Sequence, residues 1–296
     1  MRILVTGKNG QLGQSLHKVL SASAKIDNND GSNEFIFVGR KELDFSNDSN
    51  INHYFSSNNK FDIIINCAAY TAVDKAEEES KLASQINHLA VKKIAEIASK
   101  QEAKLIHIST DYVFDGESDK PYTETDTTNP INAYGKTKLA GEKALQDIMS
   151  TDAMIIRTSW VYSEYGNNFV KTMLRLGKER DELSVVSDQI GSPTYATDLA
   201  EVILKIVNDK EFNKTEQQTE IYHYSNHGQI SWYEFAKEIF TLKNIKCNAS
   251  TATTAQYKTL ANRPKNSLLD NDKIQKDFGV KQQFWKDSLK ICLTNI

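Results

Sequence analysis

The sequence predicts an α/β protein built on a doubly wound parallel sheet, with a smaller mixed α/β unit beside that sheet. Three observations lead to this class. A glycine-rich turn follows the first apolar run, at residues 6–13. Short apolar runs then alternate with helical patterns through the first half of the chain. Beyond about residue 163 the alternation gives way to a looser pattern, which is typical of a second unit.

The first half of the chain carries five short apolar runs with the composition of strands buried on both faces. These runs lie at residues 2–6, 34–39, 61–70, 104–110 and 153–162. Apolar residues recur at helical spacing between the runs, at residues 11–20, 84–101 and 132–149. Strands that alternate with helices form parallel sheets with helices on both faces, so this half predicts the central sheet.

The second half of the chain has a mixed pattern. It predicts helices at residues 167–179, 198–209 and 230–240, a strand at 220–226 and irregular structure at 250–270. We therefore predict a first domain at residues 1–163, which also receives a later helix near 197–209. The second domain is predicted to consist mainly of residues 164–296.

Composition and charge exclude several functional classes. Of the 296 residues, 39% are hydrophobic and 25% are charged, which is the balance of a globular protein with an ordinary core. A net charge of -3 gives no basic excess for nucleic acid or an anionic membrane surface. The cysteines, Cys67, Cys247 and Cys292, are too scattered for a disulfide framework. With no membrane-spanning run and no signal-peptide pattern, a cytoplasmic protein is predicted.

The turn TGKNGQLG places Gly7, Gly10 and Gly13 at GxxGxxG spacing directly after the first strand. One glycine allows a tight turn, another lets the backbone approach a pyrophosphate, and the last allows close packing of helix on strand. The helix that follows offers free N–H groups to an anion. A glycine-rich turn without a ligand is the alternative. The position after an N-terminal strand favours a Rossmann-type dinucleotide-binding domain, which leaves the second domain to bind the substrate.

The end of the second strand is where such domains read the adenosine ribose. An acid at that place accepts a hydrogen bond from the 2′-OH of NAD, whereas a basic residue favours the 2′-phosphate of NADP. Here Gly39, Arg40 and Lys41 follow the strand, and none of them is a carboxylate. The sequence therefore favours NADPH, with Arg40 as the candidate contact, and Asp44 and Phe45 just beyond as candidates for the adenine.

Polar residues at two later places are candidates for the chemistry. Ser109, Thr110 and Asp111 come at the end of the fourth strand, where parallel sheets place their ligands. Tyr134 and Lys138 are four residues apart on a predicted helix, hence on one face. A nearby cation lowers the pKa of a tyrosine, which is otherwise near 10. Each feature alone also occurs in ordinary turns and charged helices. Their combination with the phosphate-binding turn favours a catalytic site.

The constellation of GxxGxxG, a Ser-Thr strand end and YxxxK resembles the extended short-chain dehydrogenase/reductase superfamily. Further stretches are similar, in order along nearly the whole chain, to the dTDP-4-dehydrorhamnose reductase family. The matching stretches are GKNGQLG, NCAAYTAVDKAE, STDYVFDG, YGKTKLAGEKAL, RTSWVY, GNNFVKTML, DQIGSPT and RPKNSLLD.

The resemblance implies a role for each matched residue. Tyr134 would donate a proton, Lys138 would bind the nicotinamide ribose and lower the pKa of Tyr134, and Thr110 would orient the reacting oxygen. The remaining cofactor contacts would come from Gly7, Gly10, Gln11, Leu12, Gly13, Arg40, Asp44, Phe45, Ala69, Tyr70 and Thr71. The substrate would contact Thr110, Asp111, Tyr134, Trp160, Asn168 and Arg263.

The implied reaction is NADPH-dependent reduction of the C4 keto group of dTDP-4-dehydro-6-deoxy-L-mannose to dTDP-L-rhamnose, a precursor of bacterial polysaccharides. NADH is a second cofactor that the resemblance allows. Some family members hold Mg²⁺ with glutamates at a homodimer interface, but Ser15 stands where one such glutamate would fall. We therefore predict no metal, and a homodimer stays open. His223 and His227 are four residues apart but lack a third ligand at zinc-site spacing.

Three alternatives remain at this stage. A 4,6-dehydratase would need a glutamate after the aspartate of the active-site Thr-Asp, where this chain has Tyr112, and an epimerase belongs to the same superfamily. A second alternative is a reductase of a related 4-keto sugar nucleotide. A third is a non-catalytic, nucleotide-binding regulatory subunit of the same fold, which the joint presence of Thr110, Tyr134 and Lys138 disfavours.

Overall fold

The structure, a computed structural model, describes residues 1–26, 33–58 and 60–296. From the N-terminus the elements are β1 (Arg2–Thr6), α1 (Gln11–Ile26), β2 (Glu34–Val38), α2 (Asp48–Ser57), β3 (Ile63–Asn66), α3 (Lys75–Glu78), α4 (Ser80–Ser84), α5 (Ala90–Gln101), β4 (Lys104–Thr110), α6 (Ala133–Ile148), β5 (Ala153–Thr158) and β6 (Val161–Tyr162). They continue with α7 (Phe169–Glu179), β7 (Glu182–Val186), β8 (Ile190–Gly191), β9 (Thr194–Tyr195), α8 (Ala196–Val207), β10 (Glu220–His223), β11 (Ile230–Ser231), α9 (Trp232–Leu242), β12 (Asn248–Ala252), α10 (Asp272–Phe278) and α11 (Trp285–Thr294).

The central sheet has the strand order β2-β1-β3-β4-β5-β10, and its strands are parallel throughout. The chain moves outward from β1 to β2, then crosses back to β3 on the other side of β1. In such sheets ligands bind at this reversal, outside the carboxyl ends of the strands. The glycine turn after β1 and the polar end of β4 both lie at that edge.

Apolar side chains fill both faces of the sheet, which is why its strands read as continuous hydrophobic runs. On one face, residues of β1, β3 and β5 pack with α1, α8 and α10. On the other face, the same strands pack with α2, α5 and α6. The later helix α8 therefore lies against the first domain, in contact with α1.

The rest of the second half forms a separate apolar cluster beside the sheet. Its core combines α7, α9 and α11 with the short strands β6 and β9, and includes Tyr162, Phe235 and Trp285. Ser231 caps α9 in a reciprocal capping box with Glu234, which fixes where this helix begins. The parallel pair of β7 and β12 covers an outer part of this cluster.

The structure departs from the sequence prediction at several places, and three of them concern predicted strands or loops. The predicted strand at 153–162 is divided into β5 and β6, because Trp160 has a φ of 47° that interrupts extended structure. The strand predicted at 220–226 joins the central sheet as β10, next to β5. A strand, β12, occupies residues 248–252, at the start of the segment predicted to be irregular. The domain boundary at residue 163 stays a prediction.

Within the described residues, no helix has the length and apolar character that crossing a membrane requires.

Candidate active site

The turn after β1 is shaped by glycines that leave no room for side chains. Gly7 has a φ of 71°, and a Cβ there would lie 2.9 Å from the backbone nitrogen of Ala68, beyond β3. A Cβ on Gly13 would meet the carbonyl oxygen of Gly7 at 2.3 Å. The turn is thus a backbone cradle at the start of α1, and it suits the pyrophosphate of a dinucleotide. Leu12 points into the core, so its backbone alone can face a cofactor.

Gln11, the first residue of α1, ties this cradle to the second half of the chain. Its side-chain nitrogen donates to the Val161 carbonyl oxygen at 3.2 Å, and its oxygen accepts from Ser163 at 3.0 Å and from Asn168 at 2.9 Å. Asn168 also caps α7 by accepting from the Lys171 N–H at 3.1 Å. These bonds already occupy the Asn168 side chain. Its contact with the substrate stays a prediction.

Arg40, Asp44 and Phe45, the predicted contacts to the adenosine part of the cofactor, lie beyond β2. Arg40 is 73% exposed and pairs with Asp44 at 3.3 Å. Phe45 is 5% exposed and packs in the core, so its ring is withdrawn from the surface at which adenine would bind. Glu42, the next residue after Lys41, folds back, and its carboxylate accepts a hydrogen bond from the Gly39 N–H at 3.0 Å. The contact of Arg40 with the cofactor stays a prediction.

The loop after β3, which contains Ala69, Tyr70 and Thr71, is held by a buried asparagine that the sequence reading missed. Asn87 is 1% exposed and lies in a π-helical segment at Gln85–Leu89. Its side-chain oxygen accepts from the Tyr70 N–H at 2.9 Å, and its nitrogen donates to the Tyr70 carbonyl oxygen at 3.0 Å. A bond from Asn87 to Thr137 at 3.2 Å joins the loop to α6. The only available signal was an amide on an otherwise apolar helical stripe.

Thr110 and Asp111 stand together at the end of β4. The Thr110 hydroxyl donates to Asp111 Oδ1 at 2.9 Å and accepts from the Tyr112 N–H at 3.2 Å. Asp111 is 3% exposed, and its other oxygen, Oδ2, has no hydrogen-bond partner among the described residues. Burial raises the pKa of Asp111 to about 7, although the hydrogen bond from the Thr110 hydroxyl opposes that rise. One oxygen of this buried carboxyl therefore has unused hydrogen-bonding capacity.

Tyr134 reaches the same place from α6. Asn132 caps this helix by accepting from the Gly135 N–H at 2.8 Å. A Cβ on Gly135 would lie 2.1 Å from the Tyr112 carbonyl oxygen, so the glycine is what lets α6 approach the end of β4. The Tyr134 ring meets the Tyr112 ring edge to face, with centroids 5.8 Å apart.

The pKa of Tyr134 does not follow the sequence prediction. Loss of water around its hydroxyl raises the pKa to about 12; Thr110 opposes this and the Asp111 charge adds to it. Lys138 is 1% exposed and its Nζ donates to the Ile108 carbonyl oxygen at 2.6 Å, which holds it against β4. The expected lowering of the tyrosine pKa by Lys138 is therefore not found in this structure.

The pKa of Lys138 is itself shifted strongly from its usual value. Burial lowers its pKa to about 8, and the negative charge of Glu142 opposes that fall. Its Nζ also lies 3.3 Å from His107 Nε2, and His107 Nδ1 lies 3.0 Å from Asn66. Lys136, two residues before Lys138, is exposed, as expected of a solvated side chain on the outer face of α6.

A buried ion pair fixes α6, which carries Tyr134 and Lys138, to the central sheet. Arg157 on β5 pairs with Glu142 on α6 at 2.6 Å, with side chains 3% and 1% exposed. Ser109 on β4 donates to the same carboxylate. His223 lies 3.5 Å from Arg157, and burial lowers its pKa to about 3. Glu142 therefore connects α6 to β5 and β4, and Arg157 extends the network to His223 on β10. The spacing of these residues in the sequence did not predict these contacts.

Trp160, the predicted substrate contact, is paired with a second indole. Its ring stacks on Trp232 with centroids 3.4 Å apart and an angle of 8° between planes. Gly191 makes room for Trp160, because a Cβ there would lie 2.5 Å from the indole. Trp232, which was not among the predicted site residues, thus stacks directly on Trp160.

Arg263 forms an ion pair with Asp74, and its loop contacts the start of α6. Its guanidinium donates to both carboxylate oxygens of Asp74, at 3.1 and 2.6 Å. The Ala261 N–H donates to the same carboxylate at 3.1 Å. Asn132, the cap of α6, donates to the Asn262 carbonyl oxygen at 2.8 Å. The predicted Arg263 therefore borders the site that contains Tyr134.

Metal-binding geometry is absent from the described part of the chain, in which no group of three or more His, Cys, Asp or Glu side chains converges. Ser15 is fully buried in the first helix.

The fold and the site together define an extended short-chain dehydrogenase/reductase, with a dinucleotide cradle at the sheet reversal and a Thr-Tyr-Lys set beside it. The profile of a family described as RmlD substrate binding domain matches residues 1–296. The chain belongs to this family, whose closely similar members are named dTDP-4-dehydrorhamnose reductase.

Individual relatives match over the full length of the chain. A dTDP-4-dehydrorhamnose reductase of Aggregatibacter actinomycetemcomitans is 44% identical over 98% of this chain and 97% of its own. The crystal structure of a dTDP-4-dehydrorhamnose reductase from Clostridium acetobutylicum has a TM-score of 0.90 and 43% identity, covering 100% of this chain and 99% of its own. A Bacillus anthracis reductase solved in complex with NADP has a TM-score of 0.89 and 40% identity, with the same coverage. The family and fold class expected from the sequence are confirmed.

Proposed function

We propose that the protein is an NADPH-dependent reductase of the C4 keto group of dTDP-4-dehydro-6-deoxy-L-mannose, with dTDP-L-rhamnose as its product. The observation that carries this proposal is the convergence of Thr110, Tyr134 and Lys138 at the carboxyl edge of the sheet, beside the glycine cradle. The full-length similarity to reductases of this name supports the substrate.

Tyr134 is the proton donor in this proposal. A pKa of about 12 keeps its hydroxyl protonated at neutral pH, which is the form needed to protonate an oxygen on which negative charge develops. Thr110 lies next to this hydroxyl and orients the reacting oxygen. Asp111, whose Oδ2 has no partner among the described residues, accepts a hydroxyl of the sugar. Fixed positions for these groups remove much of the entropic barrier.

The residues also fit a reduced nicotinamide cofactor, which supplies the hydride when bound. Gly7, Gly10 and Gly13, with the first N–H groups of α1, hold the pyrophosphate. Lys138 holds the nicotinamide ribose, and it reaches that place from a buried position beside β4. Ala69, Tyr70 and Thr71 line the cofactor beyond β3.

On the substrate side, Trp160 lies against the sugar nucleotide, and Arg263 binds its charged part from the opposite loop. The stacked Trp232 and the Asp74 carboxylate keep both side chains in place. Asn168 is a weaker candidate because its bonds are internal. We further propose a cytoplasmic location, where sugar nucleotides are made, and leave the homodimer as a prediction.

A direct assay tests the function. The protein is mixed with dTDP-4-keto-6-deoxy-L-hexose and NADPH or NADH, absorbance of the reduced nicotinamide is followed, and the sugar product is identified. We expect oxidation of the cofactor and formation of dTDP-L-rhamnose. Cofactor binding without turnover would indicate a regulatory protein of this fold, and a different product sugar would overturn the substrate.

A further inference from the structure

His107 is a buried titratable residue of β4 that lies next to Lys138 and has no part in the reaction proposed above. Its side chain is fully buried, and loss of water, together with the Lys138 charge, lowers the pKa of His107 well below its usual range. The ring is therefore uncharged at neutral pH, and one of its two nitrogens carries a hydrogen. The position of that hydrogen decides what the ring offers to its neighbours.

The neighbour on one side is Asn66, which pairs with His107 in the register of β3 and β4. The Asn66 side-chain oxygen accepts from the Thr6 hydroxyl at 2.7 Å and from the Ala68 N–H at 3.2 Å. An amide turned the other way would set two donors against each other at Ala68. The Asn66 nitrogen therefore faces His107 Nδ1, at 3.0 Å, and donates to it. Since Nδ1 is the acceptor, the hydrogen of the ring is on Nε2.

The Nε2–H group faces the neighbour on the other side, Lys138 of α6. Its nitrogen lies 3.3 Å from Lys138 Nζ, which also donates to the Ile108 carbonyl oxygen at 2.6 Å. An ammonium group has no lone pair to accept from Nε2–H, whereas an uncharged amine has one. Among the other groups that face Lys138, the Glu142 carboxylate favours the ammonium form. The Cys67 thiol stays uncharged at neutral pH, because burial raises its pKa to about 12.

We propose that His107 is a positioning residue for Lys138: its ring holds the amino group beside β4 and offers it an N–H, which favours the uncharged amine. The inference rests on the proposed function, in which Lys138 holds the nicotinamide ribose. An ammonium donates more strongly to a ribose hydroxyl than an amine does. His107 thus sets the pH above which Lys138 binds the cofactor less tightly. The Lys138 pKa of about 8 places this change just above neutral pH.

Nitrogen NMR of the full-length protein with ¹⁵N-labelled histidine tests the position of the hydrogen directly. A ring nitrogen that carries a hydrogen differs in chemical shift from one that does not, and His107→Gln identifies the His107 signals by their loss. We expect the hydrogen on Nε2 between about pH 6 and pH 9. A hydrogen on Nδ1 in the wild-type protein would overturn the inference.

The pH dependence of NADP⁺ binding, measured by calorimetry, tests the effect on Lys138. In the wild-type protein the Kd should rise above about pH 8. His107→Gln has an amide that can turn its oxygen towards the ammonium, and it should move this rise to higher pH by about one unit. Asn66→Asp keeps the shape of the side chain and accepts from Nδ1–H. It should therefore move the ring hydrogen to Nδ1 and shift the rise in the same direction.

His53→Gln is the matched control, since His53 is exposed on α2 and its loss should leave the pH profile unchanged. A loss of affinity that is equal at every pH in both His107→Gln and Asn66→Asp would show that His107 serves packing alone, and would overturn the inference. A wild-type protein that neither binds NADP⁺ nor reduces the sugar nucleotide would reject the proposed function itself. An active wild-type protein whose profile is unmoved in both variants rejects this inference alone.

Discussion

Two side chains at the end of β4 hold protons more tightly than the same groups do in water. Tyr134 and Asp111 both lie where the protein has displaced solvent, and their pKa values are raised to about 12 and about 7. Burial disfavours the charged form of either group. For Tyr134 this means that the hydroxyl is protonated at neutral pH and can donate its proton. For Asp111 it means a carboxyl that titrates near neutral pH.

Replacement of Tyr134 by phenylalanine removes the proton donor and keeps the ring that packs on Tyr112. We expect kcat to fall by about 10²–10⁴-fold, the usual contribution of a positioned acid. The affinity for NADP⁺, measured by titration, should change little, because the cradle at Gly7 is untouched. Normal turnover by Tyr134→Phe would show that another group donates the proton.

The raised pKa of Asp111 predicts a pH-dependent cost in stability. Its folded pKa of about 7 lies above the unfolded value near 3.9, so the folded state binds the extra proton between these values. Stability is therefore greatest at low pH in this window and is lost as the pH rises to about 7. Asp111→Asn should raise the Tm at pH 8 and leave it nearly unchanged at pH 4. An equal effect at both pH values would mean that the carboxyl is not titrating.

Among the elements, α6 determines whether the proposed catalytic residues Thr110, Tyr134 and Lys138 come together. Gly135 and Gly141 allow it to lie against backbone oxygens, since a Cβ on either residue would come within 2.1 Å of the Tyr112 or Asn87 carbonyl oxygen. The buried pair of Arg157 and Glu142 then binds the middle of the helix to β5. The helix is thus held at a fixed distance from the strand ends, and Tyr134 and Lys138 are held with it.

Gly135→Ala tests this docking. The added methyl group meets rigid backbone and must push the start of α6 away, at a cost of about 3 kcal/mol. We expect a lower midpoint in urea unfolding and a clear loss of kcat, because Tyr134 moves away from Thr110. Lys136→Ala, at an exposed position on the same turn, is the control and should leave both values close to wild type. A fully active, fully stable Gly135→Ala protein would contradict the role of the glycine.

At the scale of the whole molecule, the cofactor cradle and the second half of the chain are connected through one side chain. Gln11 begins α1 and bonds three groups between Val161 and Asn168. This segment leads from the central sheet into the cluster of α7, α9 and α11. A change at the cradle can therefore reach Asn168, one of the predicted substrate contacts.

Gln11→Ala should break this connection. Loss of its partly buried bonds is expected to lower stability by about 1–3 kcal/mol and to raise the KM for the sugar nucleotide together with the Kd for NADP⁺. Gln14→Ala is the matched control, because the Gln14 side chain donates locally to the Asn9 carbonyl oxygen at 3.0 Å. If both variants show the same KM and Kd, Gln11 does not couple the two halves of the protein.

Patterns that are local in the chain were sufficient to predict much of this protein. The buried strands, the glycine turn and the spacing of Tyr134 and Lys138 each depend on residues a few positions apart, and these determined the fold class, the family and the candidate catalytic set. The order of the strands was not accessible in this way, since an apolar run does not encode its neighbour. The strand at Glu220–His223 was therefore assigned to the second half, although it pairs with β5 in the central sheet.

Only the tertiary structure decided the surroundings of the site residues. Asn87, Glu142 and Trp232 support the predicted residues from distant parts of the chain, and Glu42 reaches the end of β2 through a turn. The pKa values of Tyr134 and Lys138 were likewise set by burial rather than by their spacing on one helix. Exclusion of water and long-range hydrogen bonds arise only when distant parts of the chain pack together. Hydrophobic periodicity and turn residues, by contrast, can be recognised within short stretches of the sequence.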